Sequence, residues 1–340
     1  MVLAFTIILY AINGTVSSLY LLLASVFAAE FKYRNLDSYF YGYIIGAYAF
    51  SSIFWTFWLE WLIKKIGRSM IIMIGMILMT IWIACMGLIT YIEDNMTMFA
   101  VAVLLRICHG IWRVFIQIPS ISILVILYPE QQLKYVGYME SLLNIGSAIG
   151  PALGSVLYNL FGYLFMFLIM AFIILIFIPL FWIFKTPNID RENEKPILDQ
   201  EEDSSNRQIS KISLLKLFMD PLICLLSITT FINSFCFTYY EPVLSFRVHE
   251  FTNSVYVEGI VFTLLVLGYG FMAIFVNYFT KCIDSSKMIF MGSFSCGLWN
   301  FLIGPSTLLP NSLILICIGL YFSGTSLVFA HVPLIPMMIK

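Results

Sequence analysis

Charge is the scarcest commodity in this chain of 340 residues: only 11% of its side chains are Asp, Glu, Lys or Arg, against about a quarter in a soluble domain. That excludes an ordinary water-soluble core. Histidine is scarcer still, with three residues scattered at 109, 249 and 331, and none has metal-ligand spacing to another. A metal centre and a metal-dependent cofactor are therefore not expected. The seven cysteines fall almost entirely within apolar runs without a close pair, which argues against a disulfide framework. Neither a His-Glu-x-x-His helix nor a Gly-x-Ser-x-Gly elbow occurs, so a membrane-embedded enzyme is disfavoured. No basic patch speaks for nucleic acid. Before Lys32 there is no basic residue at all, and the first apolar run is too long for a signal-peptide core, so it is expected to be a retained helix.

What is present is apolar length. Hydrophobic residues make up 61% and aromatics 17%. A helix crossing the hydrocarbon core needs about 20 apolar residues, and the runs are long rather than short and alternating. They predict an all-α polytopic membrane protein with spans near 3–27, 39–63, 70–91, 97–127, 135–158, 163–184, 221–246, 256–280, 287–305 and 311–337. The one long hydrophilic stretch, 185–220, carries 14 of the 37 charged residues, including Glu201-Glu202-Asp203. It separates a six-helix N-terminal bundle, 1–184, from a four-helix C-terminal bundle, 221–340. Within the linker, Ser210 to Met219 reads as a short amphipathic piece.

Loops holding Lys64, Lys65, Arg68, Lys134, Lys281 and Lys287 alternate with loops holding Glu93, Asp94 and Glu250. The positive-inside rule then sets both ends of the chain in the cytoplasm, with Lys32, Arg34 and Arg247 dissenting. Asn95-Met96-Thr97 falls in a non-cytoplasmic loop as a glycosylation acceptor pattern.

The second block repeats the first. At an offset of 217, Gly42, Lys64, Ile66, Ile72 and Gly75 meet Gly259, Lys281, Ile283, Ile289 and Gly292. At 214, Gly110, Val114, Phe115, Pro119 and Ile121 meet Gly324, Val328, Phe329, Pro333 and Ile335. Parallel repeats about a central cavity make a transporter architecture. The repeat predicts counterparts of the fifth and sixth helices after Lys340, so about ten of twelve helices are expected here and the C-terminal bundle is expected to be incomplete.

The fourth run carries the unusual chemistry. Arg106, Arg113, Gln117 and Ser120 share about one helical face, with His109 beside them. Intramembrane arginine costs ~2.5–3.5 kcal/mol on insertion scales, so it should face a cavity or a carboxylate; a structural clamp or a snorkelling side chain is the plainer reading. His109 titrates near neutrality when unperturbed, or is a hydrogen-bonded structural residue. In the fifth run Glu140, Asn144 and Ser147 line one face and Gly146, Gly150 and Gly154 another, with Pro151 a local break. Small residues four apart let a neighbouring helix approach. Glu140 is either a proton-or-cation exchange site or the partner of an arginine. In the seventh run Asn233, Tyr239, Tyr240, Glu241 and Pro242 suit an organic cation through rings and charge together, or form an interfacial aromatic belt; the proline puts Glu241 at a helix break. Asn13, Ser17 and Tyr20 add a polar face to the first run.

Three motifs resemble those of the major facilitator superfamily, in its drug/proton antiporter group. Lys64-Lys65-Ile66-Gly67-Arg68 is similar to the glycine-and-basic loop after the second helix, with Lys64 where the family carries an acidic residue and Glu60 at the opening glycine. Arg106-Ile107-Cys108-His109-Gly110 resembles the fourth-helix arginine-to-glycine motif, whose arginine is linked in the family to proton coupling. Gly146 to Ser155, through Gly150, Pro151 and Gly154, resembles the fifth-helix antiporter motif. Within the group the chain looks like the vesicular amine carriers, above all the vesicular polyamine branch: Glu140 ten residues before the Gly-Pro, Glu241-Pro242-Val243-Leu244-Ser245, and Glu30 after the first helix. The resemblance implies proton-coupled antiport of an organic cation, polyamine or monoamine, across a vesicular or vacuolar membrane, with the plasma membrane as the alternative, by rocking of two halves. On that reading Arg106, His109 and Glu140 couple protons, and Asn13, Arg113, Gln117, Glu140, Asn144, Asn233, Tyr240 and Glu241 line the substrate site. Protons, the cation and the lipid bilayer are the expected partners. A non-transporting relative acting as a membrane scaffold is the alternative, because four helices leave the second bundle short of a wall.

Overall fold

The computed structural model describes residues 2–34, 38–185, 221–304 and 309–333. The linker and its amphipathic piece lie outside the described residues. Every regular element among those described is helical: α1 (Val2–Tyr33), α2 (Ser38–Ile66), α3 (Arg68–Leu88), α4 (Asn95–Leu127), α5 (Gln132–Phe184), α6 (Pro221–Thr238), α7 (Tyr240–His249), α8 (Val255–Cys282), α9 (Ser285–Ile303) and α10 (Leu313–His331).

Seven helical stretches among the described residues are long and apolar enough to cross a membrane. One of them, Tyr135–Phe184, has the length for two crossings. It breaks at Gly162, whose φ of 79° and ψ of 176° are open to glycine and strained for other residues. The predicted fifth and sixth spans are its two arms. Two other spans differ from expectation. The predicted run 221–246 is interrupted at Tyr239, because α6 ends at Thr238 and α7 restarts at Tyr240. Pro242 tolerates this well: in the first turn of α7 its missing N–H has no helical partner to lose. Glu241 thus follows the break rather than sitting at it. Helix α9 forms as predicted but is less apolar than its neighbours, since Lys287, Ser293, Ser295 and Asn300 interrupt it.

Two compact units organise the described helices. The first takes in α1 to α5 with residues 241–263, and the second takes in α6, Tyr240, the remainder of α8, α9 and α10. In the first unit α1 buries Phe5, Leu9, Ile12, Val16, Leu19, Leu23 and Val26, a stripe spaced alternately by four and three residues. That spacing keeps one helical seam against α5. Lipid is as apolar as leucine, so close contact rather than water exclusion must hold such a seam. Gly146 and Gly150 of α5 supply it: a Cβ on either would collide with the backbone carbonyl of Gly14 or Ser18 of α1. Ser17 and Ser147 hydrogen-bond across the same crossing at 2.7 Å. The large exposed side chains of α2, among them Phe50, Phe54, Phe57 and Trp61, form the opposite, lipid-facing kind of stripe.

Local signals close the helix ends. Gly67, at φ 93°, makes the turn between α2 and α3, and Arg68 Nε donates to Ser122 Oγ of α4 at 2.8 Å. Asp94 caps α4 by accepting from Thr97 N–H at 2.7 Å. Hydrogen bonds from Thr97 hold its carboxyl below the usual range. The acceptor pattern at Asn95 therefore sits in the first turn of α4. At the end of α1, Arg34 pairs with Glu30 and donates to the carbonyls of Ile92 and Thr90, at 2.5 and 2.6 Å, tying α1 to the segment before α4.

The repeat seen in the sequence recurs as contacts within each unit. In the first, a Cβ on Gly110 of α4 would run into Ser51 and the Tyr48 carbonyl of α2, and one on Gly75 of α3 into Ile116, Phe115 and Trp112 of α4. In the second, Gly324 of α10 meets the Leu265 carbonyl of α8, and Gly292 of α9 meets Ala330, Phe329 and Ser326 of α10. The partners match at the same offsets as the glycines, 217 for α2 and α3 and 214 for α4.

Candidate functional site

The polar stripe of α4 turns inward in the first unit. Arg106 is 0% exposed and is the largest fully buried side chain described. Two helices bring tyrosines to it: Tyr20 of α1 and Tyr48 of α2, with ring centroids 4.6 Å apart. The Arg106 guanidinium lies 5.6 Å from the Tyr20 ring and 5.3 Å from the Tyr48 ring. Arg113 lies 5.5 and 5.8 Å from the same two rings, and its Nη1 donates to the Tyr48 hydroxyl. Each desolvated cation–π contact is worth up to about 2 kcal/mol, so two rings offset much of the ~2.5–3.5 kcal/mol that a mid-membrane arginine costs. Seven residues of helix separate the two arginines, ~10 Å along the axis. At that distance like charges repel by roughly 1–2 kcal/mol at an effective dielectric of ~20.

His109 is buried beside Arg106, stacked on Trp82 of α3 at 4.1 Å and 25°. Arg106 Nη1 sits 3.1 Å from His109 Nδ1. A guanidinium can only donate, so Nδ1 is the acceptor and the ring proton resides on Nε2. His109 is then a neutral acceptor, and taking up a proton at Nδ1 requires the bond to Arg106 to break first. The other two nitrogens of Arg106, Nε and Nη2, have no hydrogen-bond partner among the described residues.

Glu140 stands on α5 and is exposed. Asn144 donates to the Glu140 carbonyl at 2.9 Å and Asn13 to the Leu9 carbonyl at 2.8 Å, each within its own helix. Ser120 is likewise turned back onto Ile116. Gln117 is half-buried, one turn beyond Arg113. Lys64 pairs with Glu60 in its own helix at 2.8 Å, both exposed. In the fold, then, Arg106, His109 and Arg113 converge on one tyrosine pair, Tyr20 and Tyr48. Asn13 and Asn144 spend their amides locally.

The second unit holds a different cluster. Tyr240 donates to Asn300 Oδ1 and stands 3.0 Å from Ser323 Oγ, which in turn is 3.3 Å from Cys296 Sγ. Asn233 accepts from Ser293 at 3.1 Å. All these groups are neutral. The side chain of Glu241 lies outside the described residues.

Sequence reasoning missed Tyr48, Trp82, Cys296, Asn300, Ser323 and Glu258. Trp82 could have been found, because Trp299 lies at the repeat offset of 217. Tyr48 offers no such signal among so many aromatics. Glu258 reads as a loop-end carboxylate, yet it is 0% exposed at the start of α8. Ser245 donates to it and His249 Nε2 lies 3.2 Å from it, joining the ends of α7 and α8.

Comparison with known proteins agrees with this architecture. No curated protein matches the sequence. Among solved structures, the inward-open xylose transporter XylE from E. coli is similar over 98% of this chain and 82% of its own, with a TM-score of 0.70 at 13% identity. The nucleoside transporter NupG matches over 97% and 81%, with a TM-score of 0.69 at 12% identity. A bacterial homolog of the human lysosomal transporter Spinster matches over 98% and 74%, with a TM-score of 0.64 at 14% identity. Identities this low speak for the fold alone. The sequence profile of the Major Facilitator Superfamily matches residues 4–340, and the chain belongs to that superfamily of membrane transporters.

Proposed function

We propose that the chain is a proton-coupled antiporter of the drug/proton group, of the vesicular amine type, exchanging an organic cation such as a polyamine or monoamine by alternating access. One observation carries the reading: Arg106, His109 and Arg113 of α4 gather at the paired rings of Tyr20 and Tyr48 inside the first unit, and Glu140 is a carboxylate on the polar face of α5. A carboxylate in such a place exchanges one positive occupant for another, a proton for an ammonium group. The tyrosine faces offer a second attraction for a cation once the arginines shift from them. Proton transfer through His109 follows the breaking of its bond to Arg106, which links protonation to a rearrangement of α4 against α1 and α2. A vesicular or vacuolar membrane, acidic on one side, provides the driving gradient.

The test is spermidine uptake into proteoliposomes driven by an imposed proton gradient. Uptake is expected to collapse when the gradient is dissipated and to be abolished by Glu140→Gln. Undiminished uptake by Glu140→Gln would remove that residue from the mechanism and with it this reading.

A further inference from the structure

The carboxylate of Glu258 stands apart from the α4 cluster, and two residues of α7 hold it. Ser245 and His249, four residues apart, share one face of that helix. Ser245 donates to Glu258 Oε1, and His249 Nε2 lies 3.2 Å from Glu258 Oε2, so each carboxylate oxygen meets one side chain of α7. Ser245 and Glu258 are 0% exposed, and the His249 side chain is 6% exposed. An imidazole and a carboxylate buried at that separation hold one proton between them. With it they are a compensated pair; without it the ring is neutral, and the attraction that joins α7 to α8 is lost. The charged groups beside them are Arg247 and Glu250, paired with each other, with Arg247 also 5.3 Å from the Phe251 ring. Helix α2 sets Tyr41 edge-on to Phe246, and α5 presents the neutral Pro151 and Ser155.

The residue after Glu258 shows what that proton can control. A Cβ on Gly259 would collide with the Pro151 carbonyl and the Ser155 hydroxyl of α5, so the carboxylate sits one residue from a backbone-close crossing. Residues 241–263 follow the linker in sequence yet pack within the first unit, and α8 continues beyond Thr263 into the second. The α7–α8 corner is thus an anchor by which the later block of the chain holds the earlier one. We propose that His249 and Glu258 form a proton-binding site, and that its proton keeps this corner closed on α5. Loss of the proton loosens the corner and frees α8 to leave the crossing. The site involves no substrate, so it stands whether or not Glu140 carries a cation.

Amide hydrogen exchange of the full chain in nanodiscs, followed by mass spectrometry, tests it. Exchange is read between about pH 5 and pH 8, where an imidazole ordinarily changes charge, and corrected for the intrinsic rate at each pH. In the wild type, opening of the corner amides at 250–260 is expected to rise with pH, approaching about tenfold per pH unit for a single linked proton. Glu258→Gln keeps an acceptor for Ser245 but cannot ionise, and His249→Gln cannot charge; each should flatten the profile. Glu140→Gln should leave the slope as it is. A flat wild-type profile overturns the assignment, as does a slope that survives in both corner variants. A slope confined to proteins with an intact His249 and Glu258, found together with no spermidine uptake, removes the amine antiporter and upholds the site. If Glu258→Gln does not fold, the wild type and His249→Gln decide between them.

Discussion

Arg106, His109 and Arg113 of α4 correspond, at the offset that lays α10 on α4, to Leu320, Ser323 and Leu327. Around them the joints are alike: Gly110 against α2 and Gly75 against α4 in the first unit, Gly324 against α8 and Gly292 against α10 in the second. Even the tryptophan recurs, with Trp82 stacked on His109 and Trp299 stacked on Phe322, the neighbour of Ser323. The backbone crossings are conserved between the two units and the charges are not. Where the first unit places two arginines over two tyrosines, the second closes Tyr240, Asn300, Ser323 and Cys296 upon one another with neutral hydrogen bonds. Packing and chemistry are therefore separable layers of this fold: glycines fix how helices cross, and the side chains one turn away decide what the crossing can bind.

Carrying the charge from one unit to the other breaks the comparison most severely. Leu320→Arg puts a guanidinium at a 0% exposed position that lacks the tyrosine pair, at a cost of ~2.5–3.5 kcal/mol or more. We expect loss of monodisperse protein in size-exclusion chromatography. The reciprocal Arg106→Leu should unfold no more easily than wild type, because removing a buried charge also removes its desolvation cost, and should abolish transport. Equal stability loss in both would mean that the arginine is a structural clamp.

The crossings themselves come next. Gly324→Ala and Gly110→Ala should each destabilise by about 1–3 kcal/mol through overpacking, read as thermal unfolding in detergent. The first should be the worse, since its nearest obstruction is the Leu265 carbonyl rather than the Ser51 hydroxyl met at Gly110. A smaller effect separates ring from hydroxyl. Tyr48→Phe keeps both cation–π contacts, and Tyr48→Leu should cost ~0.5–2 kcal/mol beyond it, again by thermal unfolding. The smallest concerns a helix end. Because the folded pKa of Asp94 is lowered, its contribution is present above the ordinary carboxylate range and is lost as the pH falls through the lowered folded value. Asp94→Asn should therefore trail wild type slightly in thermal stability at neutral pH and converge with it in acid.

The crossings were legible in the sequence because a glycine at a close approach is a steric requirement that leaves a fixed spacing, and two such spacings coincided. The stripe Arg106, His109, Arg113 was legible because charge is rare in the membrane. Its partners were not: Tyr20 was weakly signalled and Tyr48 not at all, because in a chain with 17% aromatics the two rings that face a cation look like the many that face lipid. Asn13 and Asn144 read as cavity-lining from their helical spacing, whereas their amides bond to the preceding turn, a local alternative open to any asparagine in a helix. The break beside Glu241 was anticipated from Pro242 and misplaced by a short distance, since a proline marks the start of a helix as readily as the end of one.

The seam between α1 and α5 has a mechanical consequence. At Gly146 and Gly150 the two backbones touch, with no side chain between them to act as a compliant spacer, and such approaches bring Cα–H groups onto carbonyl oxygens. Two rods fused along their length in this way have one set of rigid-body motions rather than two. Tyr20 rides on one rod and Glu140 on the other, so the height of the carboxylate relative to the aromatic face is a constant of the structure.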